Sequence, residues 1–235
     1  MLDVRARRIA VAVLLFAVLL VAGASPPARA ADPATITPLL DHDLASVSAY
    51  WQQTLAAAGR PAPSVAHAWV ATGAPLDTAC GVKATDTAAF YCAADDTIYI
   101  GLAFAGGLYD GTLSVLPGQR AGFGRAVGDF ALAYVVAHEY AHNVQQETGV
   151  LAGRRSALPT ELNADCLAGT WMRSEYGQGR LDPTDLQEAL DAALAVGDFD
   201  LLNPQHHGTP QERRDALLTG VNSGSPSACD PYLLR

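Results

Sequence analysis

The feature that most constrains the fold of this chain is the run VVAHEYAHNVQ at residues 135–145. Residues four apart lie one turn apart on the same face of an α-helix, so His138 and His142 can point their imidazoles at one place. Glu139 projects about a hundred degrees away around the helix axis. The alternative is that both histidines lie by coincidence on the face of an ordinary core helix. The neighbouring residues distinguish these two interpretations.

The apolar spacing around the run predicts a helix that is capped by Asp129, continues to about Thr148 and stops at Gly149. One face of this helix carries residues at helical spacing, namely Phe130, Tyr134, Ala137, Ala141 and Val144. The H-E-x-x-H spacing on such a helix is typical of a zinc site. Its two histidines bind the metal, and its glutamate can reach a metal-bound water without binding the metal itself.

A catalytic zinc usually has three protein ligands and keeps its fourth position open. A third histidine of the long H-E-x-x-H motif is excluded, because positions 145 and 148 are Gln145 and Thr148. The segment TELNADCLAG offers Glu161 at a helix start and Asp165 one turn later on the same face. We expect Glu161 to be the third ligand and Asp165 to accept a hydrogen bond from a ligating histidine. The alternative for Glu161 is a glutamate that only stabilises a helix N-terminus.

The rest of the pattern predicts an α+β fold, with a helix, then a small sheet, then several helices. A helix begins at Thr37–Pro38 after a flexible segment at 31–36 and ends before Gly59. Strands are predicted at 64–72 and, as a hairpin, at 88–101. Further helices are predicted at 159–177, 182–197 and 209–220. We expect TIYI at 97–100 to be the sheet edge along which a peptide substrate adds a strand. The alternative is that it is an interior strand of the hairpin.

The N-terminus has the pattern of a secretory signal. Arginines within the first eight residues precede an apolar run at 9–24, and SPPARA ends with Ala28 and Ala30 in the small-x-small arrangement. We therefore predict a signal peptide at 1–30, one domain at 31–235 and a secreted or extracytoplasmic location in a bacterial cell envelope. The apolar run is shorter than the roughly 20 residues that span a bilayer. The alternative is that the segment is not cleaved and stays as an N-terminal anchor. Only in that case do we expect the protein to associate with a membrane.

The net charge and the cysteines indicate which partners and which covalent cross-links to expect. The formal net charge is −9, which disfavours nucleic acid and anionic membranes as partners. The cysteines are Cys80, Cys92, Cys166 and Cys229. An even number in an exported protein indicates disulfides, and four cysteines allow three pairings. The alternative is that all four are buried free thiols. We favour Cys80–Cys92, which closes a short loop, with Cys166–Cys229.

The segments VVAHEYAHNVQ, TELNADCLAG, FYCAADDTIYI and HGTPQER together resemble the neutral zinc metallopeptidase family of bacteria. The shared core is H-E-x-x-H followed by E-x-x-A-D on the next helix, and the resemblance covers about residues 80–215. It implies a zincin-like fold, in which a small sheet lies over an active-site helix backed by further helices. It also implies one zinc ion per chain, bound by His138, His142 and Glu161, with Glu139 as the catalytic base. One departure is Asn163, where the family more often has glutamine.

Other side chains have weaker claims to the site. The segment HHGTP at 206–210 includes His207, which matches a family histidine and could stabilise an oxyanion. The alternative is that this segment is only a tight turn into a capped helix, and His206 has the weaker claim. Tyr134 and Tyr140 are other potential donors on the helix. Arg213 either pairs with an acidic group near the site or is solvated.

These observations favour an exported zinc-dependent peptidase that acts on peptide or protein substrates through a zinc-activated water, with Glu139 as general base. One alternative is a non-catalytic, zinc-stabilised binding or scaffold protein, and another is an amidase that acts on cell-wall peptides. The chain has no serine-nucleophile elbow, phosphate loop or dinucleotide-binding glycine pattern. Glu139 favours the enzyme, because a non-catalytic relative has no need of this base.

Overall fold

The structure is a computed structural model that describes residues 32–153 and 156–234. The predicted signal segment lies outside these residues, so its cleavage stays a prediction. The helices are α1 (Pro33–Ala57), α2 (Leu102–Tyr109), α3 (Pro117–Arg120), α4 (Asp129–Glu147), α5 (Leu158–Gly177), α6 (Pro183–Val196) and α7 (Pro210–Ser223), before a 3₁₀ segment at Pro226–Leu234. The strands are β1 (Ala66–Val70), β2 (Leu76–Asp77), β3 (Lys83–Ala84), β4 (Ala89–Cys92) and β5 (Thr97–Gly101). Across the described part of the chain, no helix is long and apolar enough to span a bilayer.

The main sheet is small and mixed, and with the surrounding helices it confirms the α+β class. Its strand order is β1-β5-β4, with β5 parallel to β1 and antiparallel to β4, while β2 and β3 form a separate pair. The expectation that TIYI is the sheet edge is therefore wrong. Strand β5 lies between two partners and is buried along its whole length, because β1 pairs with the side that the hairpin leaves open. Within the hairpin, β4 is the strand that lies at the edge of the sheet.

Helix α4 is the centre of the domain. Most of its residues are buried, and it packs against α1, α2, α5, α6 and β4. Small side chains such as Ala131, Ala133 and Ala137 let these neighbours approach closely, while Tyr140 fills the space towards α1. The H-E-x-x-H motif thus lies on a helix that is fixed from several sides.

Three helix ends differ from the sequence prediction. Helix α1 starts at Pro33 rather than Thr37, because Asp32 caps it and Ile36 is already fully buried in the core. The residue before α4 is Gly128 with φ 110°, so Asp129 is the first helical residue rather than the cap. Helix α7 continues past Gly220 to Ser223.

Gly220 marks a close helix crossing instead of a helix end. A Cβ atom on Gly220 would lie 1.9 Å from the main-chain oxygen of Cys166, and one on Gly169 would lie 2.2 Å from that of Leu217. Helices α5 and α7 therefore touch backbone to backbone. This contact fixes α7 against α5 near the motif ELNAD.

Disulfide bonds join Cys80 to Cys92 and Cys166 to Cys229, as favoured from the sequence. The first ties the loop between β2 and β3 to the last residue of β4. The second ties the 3₁₀ segment to α5. Both are compatible with an extracytoplasmic location, where disulfides persist.

Candidate metal centre

His138 and His142 on α4 meet Glu161 on α5 at one point. The Nε2 atoms of the two histidines are 3.2 Å apart. Oε2 of Glu161 lies 3.2 Å from Nε2 of His138, and Oε1 of the same carboxylate lies 3.3 Å from Nε2 of His142. Each residue offers a donor atom within 4.8 Å of the other two, so the structure brings together the three side chains that the sequence suggested as metal ligands.

The spacing of these donor atoms fits zinc. In a tetrahedral centre with bonds of about 2.0–2.1 Å, the ligand atoms lie about 3.3–3.4 Å from one another. Two imidazole nitrogens and one carboxylate form a donor set that zinc favours in catalytic sites. The three side chains therefore have the chemistry that suits a zinc ion, and their donor atoms lie close enough together to share one.

A buried ionic cluster surrounds His138, and its Arg213 Nη2 lies 3.3 Å from both ring nitrogens. Nδ1 of His138 lies 2.9 Å from Oδ1 of Asp165, so the carboxylate accepts the ring N–H and leaves Nε2 for a metal. Arg213 donates to both carboxylate oxygens of Asp165, at 2.8 and 2.9 Å. The hydroxyl of Tyr134 donates to the same carboxylate at 2.6 Å. Asp165 is completely buried, and these donors satisfy a charge that burial would otherwise penalise.

Neutral groups hold His142. Its Nδ1 lies 2.9 Å from the side-chain oxygen of Gln145, three residues later on the same helix. The side-chain nitrogen of Gln145 donates to the main-chain oxygen of Thr160 at 2.7 Å and to Asn163 at 2.9 Å. Position 163 lies outside the ligand set, as expected, but it belongs to the hydrogen-bond network behind a ligand.

The pKa shifts show how the charges are balanced. Burial by itself lowers the pKa of His138, but the Asp165 carboxylate outweighs it and the pKa rises to about 10. Burial by itself raises the pKa of Glu161, but His142 and His138 hold it well below its usual range. For Asp165, burial again acts upward, and Arg213 with His138 lowers the pKa. The carboxylates thus stabilise positive charge at the point where the three donor atoms meet, as a divalent cation requires.

The centre opens into a cleft of about 380 Å³. Glu139 and His207 line this cleft together with the three ligands. The apolar part of its wall comes from Phe90 and Tyr91 on β4, Phe104 on α2, Leu116, Val135 and Val196. The cleft therefore places a carboxylate, an imidazole and the candidate metal ligands beside an apolar surface and an edge strand.

The two histidines of the loop before α7 have different surroundings. His206 is buried, and its Nδ1 lies 2.5 Å from Asp198. His207 is half exposed, and its main-chain N–H donates to the other oxygen of Asp198 at 3.0 Å. Only His207 of this pair lines the cleft, which agrees with the weaker claim of His206.

The sequence left several of these roles open. Arg213 is buried and ion-paired, so the first of its two suggested roles is the observed one. Tyr134 faces Asp165, whereas the hydroxyl of Tyr140 donates to Ser48 on α1. Gln145 was missed as a supporting residue. Its position three residues after a ligating histidine, on the same helix face, was the signal that could have revealed it.

Relatives of the chain occur in distant bacteria. It is 37% identical to Uncharacterized protein YpfJ of Escherichia coli K12 over 178 residues, which cover 66% of this chain and 58% of that protein. It is 34% identical to Uncharacterized protein Rv2575 of Mycobacterium tuberculosis H37Rv over 214 residues, or 80% of this chain and 67% of that protein. The chain thus spans less than two thirds of the length of YpfJ. No solved structure gives a significant match.

The sequence profile of one family matches residues 25–232, which is a longer stretch than the motifs alone had indicated. That family is described as "Putative neutral zinc metallopeptidase". The description associates its members with zinc and with peptide hydrolysis, in agreement with the donor set above. By this match the chain belongs to the neutral zinc metallopeptidase family.

Proposed function

We propose that this protein is a zinc-dependent peptidase that hydrolyses peptide bonds in peptide or protein substrates outside the cytoplasm. The observation that carries the proposal is the convergence of His138, His142 and Glu161 on one point, with Glu139 in the wall of the same cleft. Three protein ligands leave one position of a tetrahedral ion for water or substrate. An apparatus for hydrolysis is therefore assembled on two adjacent helices.

Each side chain has a task in this reaction. Zinc, when bound, supplies a Lewis acid that polarises a carbonyl group and lowers the pKa of a water. Glu139 accepts the proton of the attacking water and donates it to the leaving amine. His207 is the donor that we assign to the developing oxyanion, because this residue lines the same cleft.

The substrate lies, in this proposal, along β4. This strand pairs with β5 on one side only, and three of its residues, Ala89, Phe90 and Tyr91, line the cleft. A peptide in extended conformation can add to such an edge through main-chain hydrogen bonds. The packing of β4 and α5 against the active-site helix α4 supports the zincin-like arrangement that we propose for this domain.

Export is part of the proposal. The N-terminal pattern predicts a cleaved signal, and the two disulfides suit an oxidising compartment. A non-catalytic scaffold needs the metal ligands but not Glu139, so the retained glutamate supports an enzyme. An amidase on cell-wall peptides would use the same residues and differs only in its substrate.

The test is Glu139→Gln, with casein as the substrate and zinc content measured in parallel. We expect the variant to keep its zinc and to lose at least 100-fold in proteolysis, because general-base catalysis contributes about 10²–10⁴. Glu147→Gln, at the exposed end of the same helix, is the matched control and should keep full activity. Chelation should abolish activity, and added zinc should restore it.

Persistent proteolysis in Glu139→Gln would contradict the proposed mechanism. A wild-type protein that binds zinc but cleaves neither casein nor purified peptidoglycan would favour the scaffold. Cleavage of peptidoglycan alone would identify the amidase.

A further inference from the structure

A chain of hydrogen bonds connects His142 to the C-terminal part of the protein. Nδ1 of His142 lies 2.9 Å from the side-chain oxygen of Gln145. The side-chain nitrogen of Gln145 donates to the main-chain oxygen of Thr160 and to Oδ1 of Asn163. The side-chain nitrogen of Asn163 donates in turn to the main-chain oxygen of Cys229 at 3.0 Å. We call Gln145, Asn163 and the carbonyl of Cys229 the amide relay.

The ends of the amide relay fix its polarity. A main-chain carbonyl oxygen can only accept a hydrogen bond, so the Cys229 oxygen requires the nitrogen of Asn163. The oxygen of Asn163 then faces Gln145, and together with the Thr160 oxygen it requires the nitrogen of Gln145. The remaining oxygen of Gln145 accepts from His142. His142 must therefore carry its proton on Nδ1, which leaves a lone pair on Nε2 for the metal.

Burial keeps this polarity from being lost to solvent. Gln145 is 1% exposed, Asn163 is 3% exposed and Cys229 is fully buried. These groups are therefore shielded from bulk water. Cys229 is held at its place by the disulfide to Cys166, which lies on α5 directly after Asp165. The same disulfide thus fixes the terminal acceptor of the relay relative to the helix that carries Glu161.

We propose that the 3₁₀ segment at Pro226–Leu234, fixed by the Cys166–Cys229 disulfide, is part of the metal centre. Gln145 and Asn163 are positioning residues. Their hydrogen bonds connect this segment to His142 and set the tautomer and orientation of that imidazole. The proposal rests on the metal site described above. It gives the two disulfides different tasks, because Cys80–Cys92 joins the connection between β2 and β3 to β4 and has no part in the relay.

The experiment measures zinc affinity by competition with a chromogenic chelator. Gln145→Met should weaken zinc binding about 10- to 100-fold, the range found when an outer partner of a ligating histidine is lost. The double variant Cys166→Ser/Cys229→Ser should weaken it about tenfold, at the low end of that range. The double variant Cys80→Ser/Cys92→Ser is the matched control and should bind zinc within about twofold of the wild type, since its disulfide touches no outer partner.

A second variant covers the case in which loss of the disulfide prevents folding. Asn163→Leu keeps both disulfides and breaks the relay in its middle, so it should also weaken zinc binding about tenfold. A spectroscopic readout separates positioning from general stability. In the zinc-loaded wild type, the Nδ1 proton of His142 should exchange slowly and give a resolved imidazole resonance, which Gln145→Met should lose.

The outcomes are separable from those of the proposed function. Wild-type zinc affinity in both Gln145→Met and Asn163→Leu would overturn this inference, whatever the proteolytic activity. Equal losses in the two disulfide variants would also overturn it. A wild-type protein that binds zinc and cleaves nothing would refute the peptidase and leave the relay intact.

Discussion

The two histidines of the candidate centre lie one turn apart on α4, but their supports differ in kind. Behind His138 is an ionic cluster, in which Asp165 receives hydrogen bonds from Arg213, Tyr134 and the imidazole. Behind His142 is the neutral amide relay. The same ligand chemistry is thus held on one side by charges and on the other by amides.

The difference separates two functions of an outer partner. A carboxylate raises the basicity of the imidazole and stabilises a positive centre, but its burial is costly unless a cation accompanies it. An amide fixes the tautomer without adding charge. The ionic cluster is built within α4, α5 and α7, whereas the relay extends to the 3₁₀ segment. We therefore expect the pH dependence of stability to come from the ionic cluster behind His138. The amide relay should affect only the geometry of His142.

Removing the Arg213 guanidinium from the ionic cluster should give the largest loss of stability. Arg213→Met leaves Asp165 buried without its main partner, which should lower the free energy of unfolding by about 3–5 kcal/mol. Zinc affinity should fall as well, because Asp165 is no longer held against His138. Denaturant unfolding of the metal-free protein measures the first effect, and chelator competition measures the second.

The adjacent Arg214 is the control for this change. It is partly exposed and pairs with Asp215 at 3.3 Å, so Arg214→Met should change stability by no more than about 1 kcal/mol. Similar losses in both variants would mean that the ionic cluster has no special weight.

The pH dependence of stability should sharpen the comparison. Asp165 contributes to raising the pKa of His138 from 6.5 to about 10, so the folded state binds more protons than the unfolded state between these values. The contribution of His138 is therefore fully present below pH 6.5 and is lost as pH rises through 10. We expect the Tm of the metal-free protein to fall by several degrees over this window.

Two variants assign this fall to one side of the centre. Asp165→Asn removes the charge that raises the pKa of His138, so the fall in Tm should become smaller. Gln145→Met changes no charge and should retain the fall. An unchanged slope in Asp165→Asn would contradict the assignment to the ionic cluster.

A single hydroxyl should give the smallest effect. Tyr134→Phe removes a donor to a buried carboxylate, and hydrogen bonds to charged groups contribute about 1.5–3 kcal/mol. Tyr140→Phe, on the same helix, removes a neutral bond to Ser48 and should cost about 0.5–1.5 kcal/mol. Thermal unfolding of the two variants compares them, and an equal or reversed order would count against the charged character of the cluster.

The sequence by itself determined the features that depend on local geometry. The spacing of His138 and His142 places both on one helix face, because an α-helix repeats every 3.6 residues. The same rule places Asp165 one turn after Glu161 on the next helix. Turn and capping residues predicted the hairpin and the start of α7, because both features depend on residues that are close together in the sequence.

Only the tertiary structure decided what lies behind these residues. Arg213 reaches Asp165 because Gly169 and Gly220 let α5 and α7 touch, and that crossing depends on residues far apart in the chain. The central position of β5 depends on its pairing with β1, which the hairpin pattern does not contain. The link from His142 to Cys229 passes through three separate segments. A local pattern records the direction in which a side chain points, but the packing of distant segments decides which partner it meets there.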